Sequence, residues 1–255
     1  MNAHQRTAII TGAGSGIGLA VAEIFVREGI NVVLNGRTED KLVRAASQIN
    51  QPDRVTIVVA DITLPETAGQ IVNKTVEHFG QIDILVNNAG IFHSRPFTTY
   101  TVEELDTFLG YLRGTFVLTQ AVVRQMQKQG HGGSIINIGT ILASNGVYEL
   151  PSSAPIIAKG GIMALTKNLS AELAPDNIRI NAVAPGIVLT PILGKLSDEQ
   201  LDTFNGMQPL GRCGTPKDIA DAVLYLANST WTTGAIVPVD GGVNASGDRT
   251  YHRVK

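Results

Sequence analysis

Eight residues near the N-terminus, Thr11-Gly12-Ala13-Gly14-Ser15-Gly16-Ile17-Gly18, constrain this chain more than any other stretch. They follow Thr7 to Thr11, a short apolar run that reads as a buried strand. They lead into residues 17–28, where Leu19, Ala20, Ile24 and Phe25 recur with helical spacing. Gly29 follows where such a helix stops, and Asn31 to Leu34 supplies a second strand. Glycine accepts backbone angles that a side chain forbids, so the segment permits a tight turn and presents backbone N–H groups at a helix start to a bound anion. Between a strand and a helix, the turn reads as a pyrophosphate cradle made by Gly12, Gly14, Ser15, Gly16, Ile17 and Gly18. The plainer alternative is a turn that packs closely and binds nothing.

The same alternation runs through the rest of the chain. Further strands are expected at 55–59, 82–86, 134–138, 178–183 and 236–239, and further helices at 39–49, 65–79, 102–128, 156–173 and 216–226. Seven strands alternating with six helices imply an α/β, Rossmann-like fold: a doubly wound, seven-stranded parallel sheet with helices on both faces. Ligands of such sheets bind beyond the C-terminal ends of the strands, where the Gly- and Asn-rich segments fall. No proline-rich, serine-rich or charged linker divides the chain, so residues 1–255 are expected to form one dinucleotide-binding domain.

Cofactor choice is read after the second strand, where an NAD-selective site offers a carboxylate to the ribose hydroxyls. The segment here is Asn35-Gly36-Arg37, without an acid. Arg37 suits a 2′-phosphate, which favours NADP, with NAD the alternative; a solvated arginine at a strand end is the competing reading. Asp61, after the third strand, suits the adenine amino group, or else it caps its own turn.

Taken together these pieces resemble the short-chain dehydrogenase/reductase family over nearly the whole chain. The likeness is carried by TGAGSGIG at 11–18, Asp61-Ile62, NNAG at 87–90, NIGT at 137–140, PGIVLT at 185–190, GRCGTPKDIA at 211–220 and VDGG at 239–242. The resemblance implies that Ile62, Asn88, Ala89 and Gly90 support the nucleotide and that Pro185, Gly186, Val188 and Thr190 run beside the nicotinamide. It also implies a substrate lid at about 190–212 and a dimeric or tetrameric homo-oligomer. Within that lid Ser197, Asp198 and Glu199 look like a helix start, and Leu196, Leu201, Phe204 and Met207 are apolar.

The family's chemistry uses an Asn, a Ser and a Tyr four residues before a Lys, and here the set is broken. Ser153-Ala154-Pro155-Ile156-Ile157-Ala158-Lys159 keeps Lys159, which in the family also holds the ribose, but places Pro155 at the tyrosine position. Tyr111 stands where the Asn belongs. Thr140 falls at the Ser position, in a loop that is two residues longer than usual. Three readings follow. A redox enzyme whose proton donor has moved would act on a small carbonyl or alcohol, with Tyr148 or Tyr111 brought near Lys159; the plainer alternative leaves Tyr148 a partly exposed loop aromatic and Tyr111 filling space in the core. A nucleotide-binding sensor, scaffold or partner subunit would not turn over, since loss of a general acid costs about 10²- to 10⁴-fold. An imine reductase would need little acid catalysis.

Pro151 and Pro155 bracket the start of the Lys159 helix and point to a start later than usual, with Ser152 or Ser153 as cap. Gly160-Gly161 costs about 1 kcal/mol each in a helix and implies close approach to the cofactor or to a neighbouring helix. His93 and Arg95, after NNAG, suit either a polar substrate or solvent.

Other functions are excluded by composition. Twenty basic and 22 acidic residues are dispersed, so no broad field for nucleic acid is indicated. The five histidines and lone Cys213 show no metal-ligand spacing, and no disulfide within the chain is possible. With no leader-like or membrane-length apolar stretch, cytoplasmic residence is expected. Charged residues make up 16% of the chain against the usual quarter, which suits surface covered by other subunits.

Overall fold

The apolar runs pair as parallel strands in a single sheet, and the computed structural model describes residues 5–144, 146 and 150–246. In chain order the elements are β1 (Thr7–Thr11), α1 (Gly16–Arg27), β2 (Asn31–Gly36), α2 (Glu39–Ile49), β3 (Val55–Val59), α3 (Thr67–Phe79) and β4 (Ile84–Asn87). They continue with α4 (Val102–Gln129), β5 (Gly133–Ile138), α5 (Ser153–Glu172), β6 (Ile178–Pro185), α6 (Asp198–Gly206), α7 (Pro216–Asn228) and β7 (Ile236–Val239). The strand order is β3-β2-β1-β4-β5-β6-β7, so winding reverses between β1 and β4, where a crevice opens at the strand ends.

Each face of the sheet carries its own core. On one, Phe25 and Val21 of α1, Leu42 of α2 and Val223 and Leu226 of α7 pack on Ile10, Leu34 and Val86. On the other, Ile71 of α3, Leu118 and Val122 of α4 and Leu169 of α5 cover Ile9, Leu85 and Ile135. Burial from both sides explains why β1 is buried along its whole length and reads as an unbroken apolar run. Between the layers, Asn87 Nδ2 donates to Thr119 Oγ1 (2.9 Å) and to Asn137 Oδ1 (2.8 Å), and Asn137 Nδ2 donates to Thr166 Oγ1 (2.8 Å). Two strands are thereby tied to α4 and α5 by buried polar side chains.

Two boundaries are corrected: the Lys159 helix begins at Ser153 rather than 156, and the strand expected at 82–86 spans Ile84–Asn87. The cap read at Ser152 or Ser153 falls on Ser152, with Pro155 in the first turn, where a missing N–H leaves no bond unmade. The helix start read at Ser197, Asp198 and Glu199 is that of α6, with a capping box in which Gln200 N–H donates to Ser197 Oγ (3.2 Å). Of the two readings of Gly160-Gly161, Gly161 takes the second: a Cβ there would lie 2.8 Å from Leu112 Cδ2 of α4.

Candidate active site

The crevice is built first by the β1–α1 turn. Gly12 has φ +65°, and a Cβ on it would lie 2.9 Å from Ala89 Cα; a Cβ on Gly18 would lie 2.5 Å from Gly12 O. Helix and strand therefore meet at backbone distance. Ser15 caps α1 without a side-chain hydrogen bond, so the first N–H groups of the helix are not engaged by a side-chain cap, an arrangement that suits an anion. Gly12, Ser15, Gly16 and Ile17 line the crevice, whereas Gly14 and Gly18 shape the turn from behind.

Thr11, which sequence reasoning passed over, holds this turn to the NNAG segment. Its hydroxyl accepts from Asn88 N–H and Ala89 N–H, both at 3.0 Å, and donates to Val86 O at 3.3 Å. Asn88 Nδ2 returns a bond to Thr11 O at 2.9 Å. A threonine ending a strand looks like an ordinary β-former, and only its position opposite the two asparagines hints at the tie.

Arg37 and Asp61 follow the ends of β2 and β3, with Arg37 Nη1 3.6 Å from Asp61 Oδ2. Asp61 Oδ1 accepts from Thr63 N–H and Thr63 Oγ1, each at 2.9 Å, so it caps its own turn while its other oxygen faces the arginine. Ile62 is buried in the core of that face. Tyr111 packs into the same cluster, with Ile9, Val33 and Val58. Burial pushes its phenol pKa up, Arg37 opposes that and Asp61 adds to it. The structure therefore places Tyr111 on the Arg37–Asp61 side and not among the residues lining the cleft around Lys159.

Lys159 reaches the middle of a cleft of about 720 Å³. Its Nζ donates to Ile138 O at 2.6 Å, and a Cβ on Gly90 would lie 3.4 Å from it. Burial of the ammonium lowers its pKa from 10.5 to about 8. Thr140 lines the same cleft; its Oγ1 accepts from Leu142 N–H at 3.2 Å, which leaves its proton for another acceptor. Pro155 is buried in the first turn of α5. Tyr148 lies outside the described residues.

The cleft walls are apolar: Phe92, Leu142, Leu150 and Ile156 below, and Leu193, Phe204 and Met207 from the 190–212 segment above. Lys159 is the one ionisable side chain among the described residues that line it. Pro185, Gly186, Val188 and Thr190 form the remaining side, with Val188 bridged to Gly214 and the Thr190 side chain packed near Gly16. His93 and Arg95 do not enter the cleft. They face Glu104 at 3.5 and 2.8 Å, while Ser94 Oγ (2.7 Å) and Arg95 N–H (2.9 Å) both donate to Pro151 O. Among the described residues no group of histidine, cysteine and carboxylate side chains fits a metal, and no helix is long and apolar enough to cross a membrane.

Glycines that bring backbone N–H groups to a helix start, an arginine at the β2 end and a lysine in mid-crevice fit a dinucleotide with its nicotinamide beside Lys159. Comparison with known proteins agrees. Residues 12–244 match a family described as Enoyl-(Acyl carrier protein) reductase. The chain is 37% identical over 250 residues to a 3-oxoacyl-[acyl-carrier-protein] reductase of Thermotoga maritima, covering 95% of this chain and 99% of that protein. Among solved structures, ElxO with NADP bound superposes with a TM-score of 0.89 at 30% identity, covering 95% of this chain and 100% of that one. A 3-ketoacyl-(acyl-carrier-protein) reductase from Brucella melitensis complexed with NADH superposes with a TM-score of 0.86 at 32% identity, covering 94% and 98%.

Proposed function

The chain belongs to the short-chain dehydrogenase/reductase family and is an NAD(P)-dependent oxidoreductase; we propose that it reduces a small apolar carbonyl, or oxidises the matching alcohol, with Lys159 exchanging the proton. The observation that carries this reading is that Lys159 is the one ionisable side chain among the described residues lining an apolar cleft, with the buried Pro155 one turn before it in α5.

When bound, the cofactor supplies or accepts the hydride. Gly12, Ser15 and Gly16 would hold its pyrophosphate at the start of α1, and Asn88 to Gly90 with Pro185 to Thr190 would hold the nicotinamide end. Arg37, at the end of β2 and 3.6 Å from Asp61, would hold a 2′-phosphate, which favours NADP over NAD. Thr140 O–H donates to the substrate oxygen and orients it. The Lys159 ammonium gives its proton to that oxygen during reduction and the amine recovers it during oxidation. With a pKa near 8, both forms are present at neutral to mildly alkaline pH. Phe92, Leu150, Phe204 and Met207 exclude water, with the 190–212 segment acting as lid.

The uncompensated charge of Lys159 repels a preformed iminium cation, which favours carbonyl over imine reduction. A homo-oligomer, dimer or tetramer, is supported by the exposed apolar side chains Phe116, Tyr225 and Trp231. Cytoplasmic residence is supported by Cys213, the single cysteine, which is a buried free thiol.

The test is NADPH oxidation against a panel of apolar aldehydes and ketones across pH. Reduction is expected to fall above about pH 8, Lys159→Met to lose about 10²-fold or more, and Tyr148→Phe to keep its rate. Loss confined to Tyr148→Phe would transfer the proton role to that residue. Cofactor binding without any turnover would leave a binding protein.

A further inference from the structure

We propose that the same cleft has a second activity that needs no cofactor: the Lys159 amine condenses with an apolar aldehyde or ketone to form a protein-bound imine. The proposal shares Lys159 with the hydride reading but requires neither hydride nor nucleotide.

Most buried lysines are paired with carboxylates, which hold them as unreactive ammonium ions. Among the described residues no carboxylate pairs with Lys159; its hydrogen bond goes to the backbone carbonyl of Ile138 at 2.6 Å. A lysine desolvated in an apolar site is the usual form of an imine-forming nucleophile. The Lys159 tip packs against the backbone of Gly90, where an added Cβ would lie 3.4 Å from Nζ, and the side chain lines the cleft, from which a carbonyl approaches it. The cleft, about 720 Å³ and walled by Phe92, Leu150, Phe204 and Met207, accepts a hydrophobic body while its carbonyl carbon meets the amine.

The chemistry is redox-neutral. The amine lone pair forms a C–N bond to the carbonyl carbon, and a proton passes from nitrogen to the new alkoxide to give a carbinolamine. The C–O bond then breaks as the hydroxyl takes up a proton from solvent and leaves as water, the nitrogen lone pair forms the C=N bond, and the resulting iminium returns its N–H proton to solvent to give the imine. Thr140 O–H, on the same wall, hydrogen-bonds the oxygen through both steps. One water is released and no oxidant or reductant is consumed.

Borohydride trapping tests this. Cofactor-free protein is incubated at pH 7.5 with hexanal or 2-octanone, reduced with sodium borohydride, digested and analysed by mass spectrometry. A pKa near 8 leaves about a quarter of Lys159 as free amine, against about 0.1% for an ordinary lysine. Lys159 is therefore expected to be alkylated at least tenfold more than exposed Lys41 and Lys217, with a labelling rate that levels off above about pH 8. Lys159→Arg, checked for fold by circular dichroism, should remove the selective adduct. Labelling of Lys159 equal to or below that of Lys41 and Lys217 overturns the proposal, whatever the hydride assay gives. Selective trapping with no NADPH turnover upholds it and removes only the hydride reading.

Discussion

Replacing Lys159 with methionine should make the protein more stable at neutral pH while abolishing turnover. Methionine keeps the length of the side chain and removes its charge. Folding moves the lysine pKa from 10.5 to about 8, some 2.5 pH units, and each unit corresponds to about 1.4 kcal/mol, so the buried charge costs about 3 kcal/mol below pH 8. The cleft is open to solvent on one side and the bond to Ile138 O is worth about 1 kcal/mol, which reduces the net gain to about 1–2 kcal/mol at pH 7. The sign is specific. Because the pKa is lowered on folding, the unfolded chain binds more protons between pH 8 and 10.5, and wild-type stability rises across that window relative to the variant. Urea unfolding of both proteins at pH 7, 8.5 and 10, followed by far-ultraviolet circular dichroism because Trp231 is 98% exposed and a poor reporter, measures the difference. An advantage for Lys159→Met that shrinks steadily towards pH 10.5 is expected. A difference independent of pH would refute the buried-charge reasoning and, with it, the source of the lysine's reactivity.

Arg37→Ala should lower NADP affinity about 10- to 100-fold relative to NAD, the scale of a charged phosphate contact, as read by calorimetric titration with each cofactor. Gly18→Ala should destabilise the fold by about 1–3 kcal/mol and weaken cofactor binding, since its methyl would meet Gly12 O at 2.5 Å; thermal unfolding and the same titration check both. Asp218 accepts from both Arg212 nitrogens (2.9 and 3.0 Å) and caps α7, which holds its carboxyl well below the usual range. Its contribution is present above the ordinary carboxylate pKa and is lost as pH falls below it, so Asp218→Asn should cost about 1 kcal/mol at pH 7 and progressively less in acid unfolding experiments.

The strands and the nucleotide turn were legible because their causes are local. A strand covered on both faces must be apolar throughout, and a turn that brings helix and strand to backbone distance at Gly12 and Gly18 must lack side chains. The catalytic constellation was less legible because it depends on where side chains find room. Spacing puts Tyr111 at the asparagine position, yet a phenol ring gains more by packing beside Ile62 and Val58 than by facing a cleft, and spacing along a helix does not record that preference. Arg37 and Asp61 each suited a cofactor group; that they also meet one another follows from β2 and β3 ending side by side, which the twenty-odd residues between them conceal. Pro151 and Pro155 pointed to a cap at Ser152 or Ser153, and Ser152 is the cap, because a proline in the first turn lacks only an N–H that has no partner there.

The two hydrogen bonds that Ser94 Oγ and Arg95 N–H donate to Pro151 O bear on how such a protein diversifies. The stretch between β5 and α5 is moored at one end by the Thr140–Leu142 turn and at the other by Pro151, just before the helix that carries Lys159. Residues between two moorings can be lengthened or exchanged without shifting what lies beyond them. A lineage built this way can retune what it admits to the cleft by mutation in one short segment, while Lys159 keeps its place.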